Sequence, residues 1–263
     1  MLLYASFADH QNTSFAFDQV PALEIPVLKF AIRMPELIHH PLCPHSRYVR
    51  LIMGELGMEV TLTEERIWER RREFLILNPA GATPVLVEEN IFAIPGPDVI
   101  AEYLDETRGL VLAERRLLPE DPASRIEVRR LTDWFNHKFY EEVSHYLVVE
   151  KVHKRYMSKE SGGGAPEGAI LRAARTNVRY HLKYIGHLLG KRNWLAGDKL
   201  SHADMAAAAH LSVVDFLGDV PWAEDEAAKQ WYARIKSRPS FRPLLADRVL
   251  GMNASAHYTD LDF

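Results

Sequence analysis

The chain has 263 residues, a net charge of −4, 47% hydrophobic residues and a single cysteine. That length suits one large domain or two small ones, with enough apolar material for a buried core. Mild acidity argues against a general nucleic-acid binder. One cysteine excludes an internal disulfide and fits a reducing compartment, and no run approaches the ~18–20 apolar residues that a membrane span needs. The 12 histidines invite a search for metal ligands, but none falls in an H-E-x-x-H or Cys/His spacing, so no metal is expected.

Residues 1–33 carry few charges, several Ser, Thr, Asn and Gln, and no clear period. They lack the basic start, apolar block and small-residue cleavage site of a secretory signal. Met34 is followed at once by Pro35-Glu36 and the first strand, so 1–33 reads either as an over-called start or as a disordered, peripheral arm. Leu37-Ile38-His39-His40 is the strand. After the turn Pro41-Leu42-Cys43-Pro44, apolar residues at Val49, Ile52, Met53 and Leu56 have helical spacing. Cys43 sits at the turn and Ser46 in the first helical turn, where backbone N–H groups are unpaired and the helix dipole is positive. A thiol there is acidified and nucleophilic, and the same place suits an anion. The bland alternative is a small buried hydrophobe at Cys43.

Gly57 then marks a helix end, and 58–64 alternates as a strand. Residues 66–77 read as one basic, then apolar, helical stretch, with Arg70-Arg71-Arg72 as a solvated face. Trp68, among these charges, either anchors a partner or folds back onto the core. Residues 78–87 run from a loop into a strand, and Thr83-Pro84 occupies a position that suits a cis bond. Residues 91–94 form a further strand. Gly96 as N-cap and Pro97 at the first position then open a helix over 99–107. The order β-α-β-α-β-β-α over 34–108 matches a thioredoxin-like unit.

The remainder is helical. Asp121-Pro122-Ala123 starts a long helix carrying Trp134 and Phe135, and the glycine-rich run 161–166 is a hinge between helices. Ser201-x-x-Asp204 is a capping box, after which Ala206 to Ala209 lets the helix pack closely. Trp231, Ile235 and Phe241 close an all-helical domain over 119–245. The last stretch, 246–263, ends with Tyr258, Leu261 and Phe263 as apolar teeth among Asp260 and Asp262. It either lies on its own domain or is a linear motif that docks onto a partner.

Leu42-Cys43-Pro44-x-Ser46-x-x-Val49-Arg50-Leu51, Asn78-Pro79-x-Gly81-x-x-Pro84-Val85-Leu86, Ile100-x-x-Tyr103-Leu104 and the run from Trp194 to Asp204 together resemble the cytosolic glutathione transferases over about residues 34–245. The resemblance implies an α/β thioredoxin-like N-terminal domain and an all-α C-terminal domain. It also implies three devices for glutathione: a Cys, Ser or Tyr after the first strand, the backbone beside a cis-proline, and a Glu/Gln-Ser pair opening the last helix of the first domain. Cys43 or Ser46 and Thr83-Pro84 match the first two, but the third falls on Gly96 and Pro97. Two charge-assisted hydrogen bonds worth ~1.5–3 kcal/mol each are lost there, which weakens glutathione by roughly a hundredfold or more.

Within the family, this damaged pair and the ending Asp260-Leu261-Asp262-Phe263 resemble the transferase-like regulators of bacterial cell division. That likeness implies a non-enzymatic homodimer in the cytoplasm at the division site. It would bind FtsZ filaments, favour curved bundles and promote constriction. It would need no cofactor, bind glutathione weakly at most, and neither bind nucleic acid nor insert into the membrane. Trp68, Tyr258, Asp260, Leu261, Asp262 and Phe263 are the partner-binding candidates. The alternative is a glutathione-dependent thiol transferase using Cys43 and Ser46.

Overall fold

The computed structural model describes residues 34–89 and 92–261. The readings made on 1–33, Ile91, Asp262 and Phe263 lie outside the described residues. The chain starts with strand β1 (Glu36–His39), helix α1 (Pro44–Glu55), strand β2 (Thr61–Glu64) and helix α2 (Arg72–Leu77). Strands β3 (Val85–Val87) and β4 (Ile94–Pro95) and helix α3 (Pro97–Arg108) follow. The sheet order is β2-β1-β3-β4; β1 and β2 are parallel, and the other two pairings are antiparallel. Helix α1 crosses over between the parallel strands β1 and β2, α2 carries the chain back to lay β3 antiparallel on β1, and a short loop returns it as β4.

The stretch 66–77 is a correction to the single helix expected there. It contains a 3₁₀ turn at Ile67–Glu69 and then α2, separated by Arg70 in the left-handed region (φ 48°). That conformation cannot continue a right-handed helix. The first strand pair is also shorter than the alternation over 58–64 suggested.

The helical half begins with α4 (Pro122–Asp133), whose N-cap Asp121 accepts the Ser124 N–H at 2.8 Å. The helix does not stop at Asp133. It runs on through π-type turns at Trp134–Ser144, α5 (His145–Val148), more π-type turns at Val149–His153, and α6 (Lys154–Tyr156). Helices α7 (Gly168–Leu189), α8 (His202–Phe216), α9 (Glu226–Lys236) and α10 (Arg242–Leu245) complete it. Every residue of α8 is buried, and Ala206 to Ala209 are completely so. An apolar sequence without a polar face has to be the central helix. Its start is secured by the capping box: Asp204 accepts from the Ser201 N–H (3.0 Å), the Leu195 N–H (2.9 Å) and the Trp231 indole N–H (2.9 Å). Helix α1 packs across α8, so the α/β half and the helical half share one continuous core.

Candidate functional site

Cys43 is the N-cap of α1, in extended geometry (φ −84°, ψ 117°). Its sulfur accepts the Ser46 N–H at 3.4 Å, and its thiol donates to the Thr83 carbonyl at 3.5 Å. The sequence paired Cys43 with Ser46, but the structure separates them. Ser46 is completely buried, and its Oγ accepts the His40 N–H at 3.4 Å, whereas Cys43 is only half-buried. Of the two, Cys43 alone has solvent access, while the Ser46 hydroxyl is turned into the protein.

His45 and Tyr140, beside this corner, are both uncharged at neutral pH. The His45 ring lies 4.4 Å from that of Tyr140, and its Nε2 is 2.9 Å from the Asn136 carbonyl. Burial lowers the pKa of His45, which keeps the imidazole neutral and able to donate to that carbonyl. Burial, followed by the negative charge of a Cys43 thiolate, pushes Tyr140 up to about 12, so it stays a phenol. His45 therefore offers Cys43 no imidazolium of the kind that activates catalytic thiols.

Thr83-Pro84 is cis and buried, and the Gly96 N–H donates to the Pro84 carbonyl at 3.0 Å, tying this loop to the start of α3. At that helix start, Gly96 (φ 93°, ψ 143°) caps with no side chain, and Pro97 has no N–H to give. Asp98 stands in the first turn, with Oδ1 accepting from the Asn136 amide at 2.8 Å. An anionic ligand arriving here meets a carboxylate and no side-chain donor from positions 96 and 97. Beside it, a cavity of about 270 Å³ between α3, α4 and the start of α8 is rimmed by Asp98, Glu102, Asp105, Asp133 and Arg129, which pairs with Glu102 at 2.9 Å, over a floor of Tyr48 and His202. Among the described residues, no cluster of three or more His, Cys, Asp or Glu could hold a metal, and no helix is long and apolar enough to cross a membrane.

The partner-binding candidates divide. Trp68 is half-buried: it stacks on Tyr156 (5.9 Å, 11°) and packs against His153 (4.9 Å) and His40 (5.4 Å). Asp260 is exposed and Leu261 is 41% exposed. Tyr258 is completely buried, among Leu42, Val148, Val152, Val213 and Phe216. It is corrected from a surface tooth to a core residue. Arg47, Lys236 and Asp215, all buried, were missed. No local signal marked them: Arg47 and Arg50 share the polar face of α1, opposite Val49, Ile52 and Met53, where the spacing reads as solvent-facing.

A family model for the glutathione S-transferase N-terminal domain matches residues 42–107, and one for the C-terminal domain matches 145–239. The chain belongs to the glutathione S-transferase family. It is 49% identical over 230 residues to FtsZ-localized protein A of Caulobacter vibrioides, covering 86% of this chain and 97% of that protein. The solved structure of FzlA from C. crescentus matches with a TM-score of 0.81 at 48% identity, over 88% of this chain and all of the other. A solved structure titled glutathione S-transferase, from Sinorhizobium meliloti, matches with a TM-score of 0.85 at 53% identity, with the same coverage. Similar identity to relatives of different description leaves the choice of function to the residues of the transferase site.

Proposed function

We propose that this glutathione S-transferase family member is a binding protein that associates with FtsZ filaments at the division site as a homodimer, favouring curved or bundled filaments and constriction. The start of α3 carries the reading. Gly96 and Pro97 supply neither the carboxylate nor the hydroxyl with which the fold holds a γ-glutamyl group, and Asp98 adds repulsion. The similarity to an FtsZ-localized protein, over 97% of that protein's length, supports this choice of partner. A two-fold dimer presents the same patch twice, so two weak sites engage a polymer at high effective concentration. The surface offered is acidic and apolar at Asp260 and Leu261, with Trp68 as a second candidate contact; Asp262 and Phe263 follow in sequence as further candidates. Association with a basic surface through these carboxylates weakens as salt rises.

The test is co-sedimentation with FtsZ polymers in GTP over a salt series, comparing the wild-type chain with Asp260→Lys. The wild type pellets with polymer and the variant pellets less. A wild type that stays in the supernatant at every salt concentration overturns the reading.

One observation favours a second reading. Cys43 keeps solvent access at a helix N-cap, beside the Thr83-Pro84 peptide along which a glutathione backbone would pair. A glutathione-dependent thiol transferase using Cys43 predicts retention on immobilised glutathione and disulfide-exchange activity that Cys43→Ser abolishes.

A further inference from the structure

The residues after α10 are fastened to the protein by buried cations. Arg47, completely buried on α1, donates from Nε to the Pro41 carbonyl (2.7 Å) and from Nη1 to Ser212 Oγ and Tyr258 Oη (both 2.9 Å). Its Nη2 lies 3.4 Å from Asp247, which Arg50 also holds at 2.8 and 2.9 Å. The Tyr258 hydroxyl in turn donates to the Leu244 carbonyl at 3.1 Å. On the other side, Lys236 at the end of α9 is completely buried, with Nζ donating to the carbonyls of His257 (3.1 Å) and Asp260 (2.6 Å). Ser255 adds a backbone bond to the Phe216 carbonyl (2.9 Å) and a hydroxyl bond to the Asp215 carbonyl (2.7 Å).

A linear motif free in solution needs none of this. Charge-assisted hydrogen bonds in a water-excluded place are among the stronger contacts a chain can make, and a buried cation deprived of its acceptors is costly. Both cations donate to the tail; Arg47 also donates to Pro41 and Ser212, and Lys236 also lies 3.8 Å from the buried Asp215 carboxylate on α8. Asp260 and Leu261 lie directly after the last clamped carbonyl, and both are exposed.

We propose that 247–260 is a rigid strap that presents Asp260 and Leu261 to the partner in one fixed orientation, and that Lys236 is a positioning residue for partner binding although it is buried and touches no partner. This rests on the function proposed above. The partner chemistry that fits is a basic surface with an apolar notch on the filament. Prior ordering of the strap removes the entropy loss that a disordered tail would suffer on docking.

The test uses the full chain and two variants, Lys236→Met and Tyr258→Phe. Lys236→Met keeps the buried side-chain bulk while removing the donors to both carbonyls and the charge facing Asp215; Tyr258→Phe leaves that charge in place, keeps the ring and removes the link to Arg47 and Leu244. Amide hydrogen exchange is read at Tyr258 and Asp260, whose N–H groups bond to Ser255 and His257 within the strap. Binding is read by co-sedimentation with FtsZ polymer. Both variants should speed exchange there by about tenfold or more while α8 keeps its protection, since one lost charge-assisted bond shifts a local opening equilibrium by about that factor. Affinity for polymer should fall by a similar factor although Asp260 and Leu261 are intact. Wild-type exchange in both variants overturns the strap, and a loosened strap with undiminished binding overturns the positioning role. If the wild-type chain does not pellet with polymer, the FtsZ reading fails, and the exchange measurement still decides whether the strap is clamped.

Discussion

If the start of α3 is what excludes glutathione, rebuilding it should restore binding in a predictable order. Pro97→Ser returns an N–H and a hydroxyl to the first helical turn, where Pro97 supplies neither. One charge-assisted hydrogen bond to a ligand carboxylate is worth about 1.5–3 kcal/mol, or roughly ten- to a hundredfold in affinity. Asp98→Asn removes the repelling charge. The Asp98 side chain is 47% exposed, so solvent screening limits that gain to about 0.5–1 kcal/mol. Gly96→Glu is different. The backbone at 96 sits at φ 93°, and although a Cβ there would meet nothing within 4 Å, a side chain in that region costs about 1–3 kcal/mol in strain. That offsets most of what the new carboxylate contributes. Titration calorimetry with reduced glutathione at neutral pH should therefore rank the double variant Pro97→Ser/Asp98→Asn above Pro97→Ser, and Pro97→Ser above both Gly96→Glu and wild type. A wild type that binds as tightly as Pro97→Ser would refute the reasoning, because positions 96 and 97 would then not be the defect.

Three further outcomes follow from the packing. Removing residues 258–263 takes Tyr258 from the core and strips a partner from buried Arg47, so the truncated chain should lose about 3–5 kcal/mol in urea unfolding, whereas Asp260→Lys on the surface should cost no more than about 0.5 kcal/mol; equal stability of truncated and full chains would contradict the placement of Tyr258. His202 is buried against the Tyr48 hydroxyl (3.0 Å), and burial lowers its pKa from 6.5 to about 4. Because the unfolded chain takes up that proton and the folded chain does not, stability is full above pH 6.5 and falls as pH drops toward 4, by about 1.4 kcal/mol per unit for this residue; denaturant midpoints between pH 7 and 5 should fall less steeply in His202→Gln, and identical slopes would reject the assignment. Gly186 on α7 leaves no room for a side chain: a Cβ would lie 2.1 Å from the Asp225 carboxylate, which caps α9 by accepting the Ala228 N–H at 2.9 Å. Gly186→Ala should cost about 1–3 kcal/mol in thermal unfolding through the displaced cap, and an unshifted melting temperature would show that the two helices can part freely.

The sequence was informative where backbone chemistry is local. The Ser201-Asp204 box, Gly96 and Pro97 at a helix start and the Thr83-Pro84 loop all declare themselves within a few residues, and the structure places each as the spacing implied. The break at Arg70 was not visible, because nothing in Arg70-Arg71-Arg72 marks one arginine for a left-handed conformation. The π-type turns of the long helix were equally silent, since they alter hydrogen-bond register without altering composition. The tail left two readings open for a different reason. Its polar, acidic composition suits either, because its anchors come from far away in the chain: Arg47 and Tyr258 are 211 positions apart. No local pattern records a contact of that range.

The same helix carries both candidate activities, which makes them separable. Cys43 caps α1, and Arg47 and Arg50 within it hold the tail. A substitution that deformed α1 would damage a thiol chemistry and a docking surface together and would distinguish nothing. Cys43→Ser avoids this, because serine is a better N-cap than cysteine and its Oγ can accept the same Ser46 N–H. The helix, and with it Arg47 and the strap, should stay in place. A thiol transferase loses its nucleophile in this variant, while a filament-binding protein loses nothing. Unchanged co-sedimentation of Cys43→Ser beside weakened co-sedimentation of Asp260→Lys assigns the activity to the tail. The reverse pattern, with glutathione-dependent exchange lost in Cys43→Ser and polymer binding absent throughout, assigns it to the thiol.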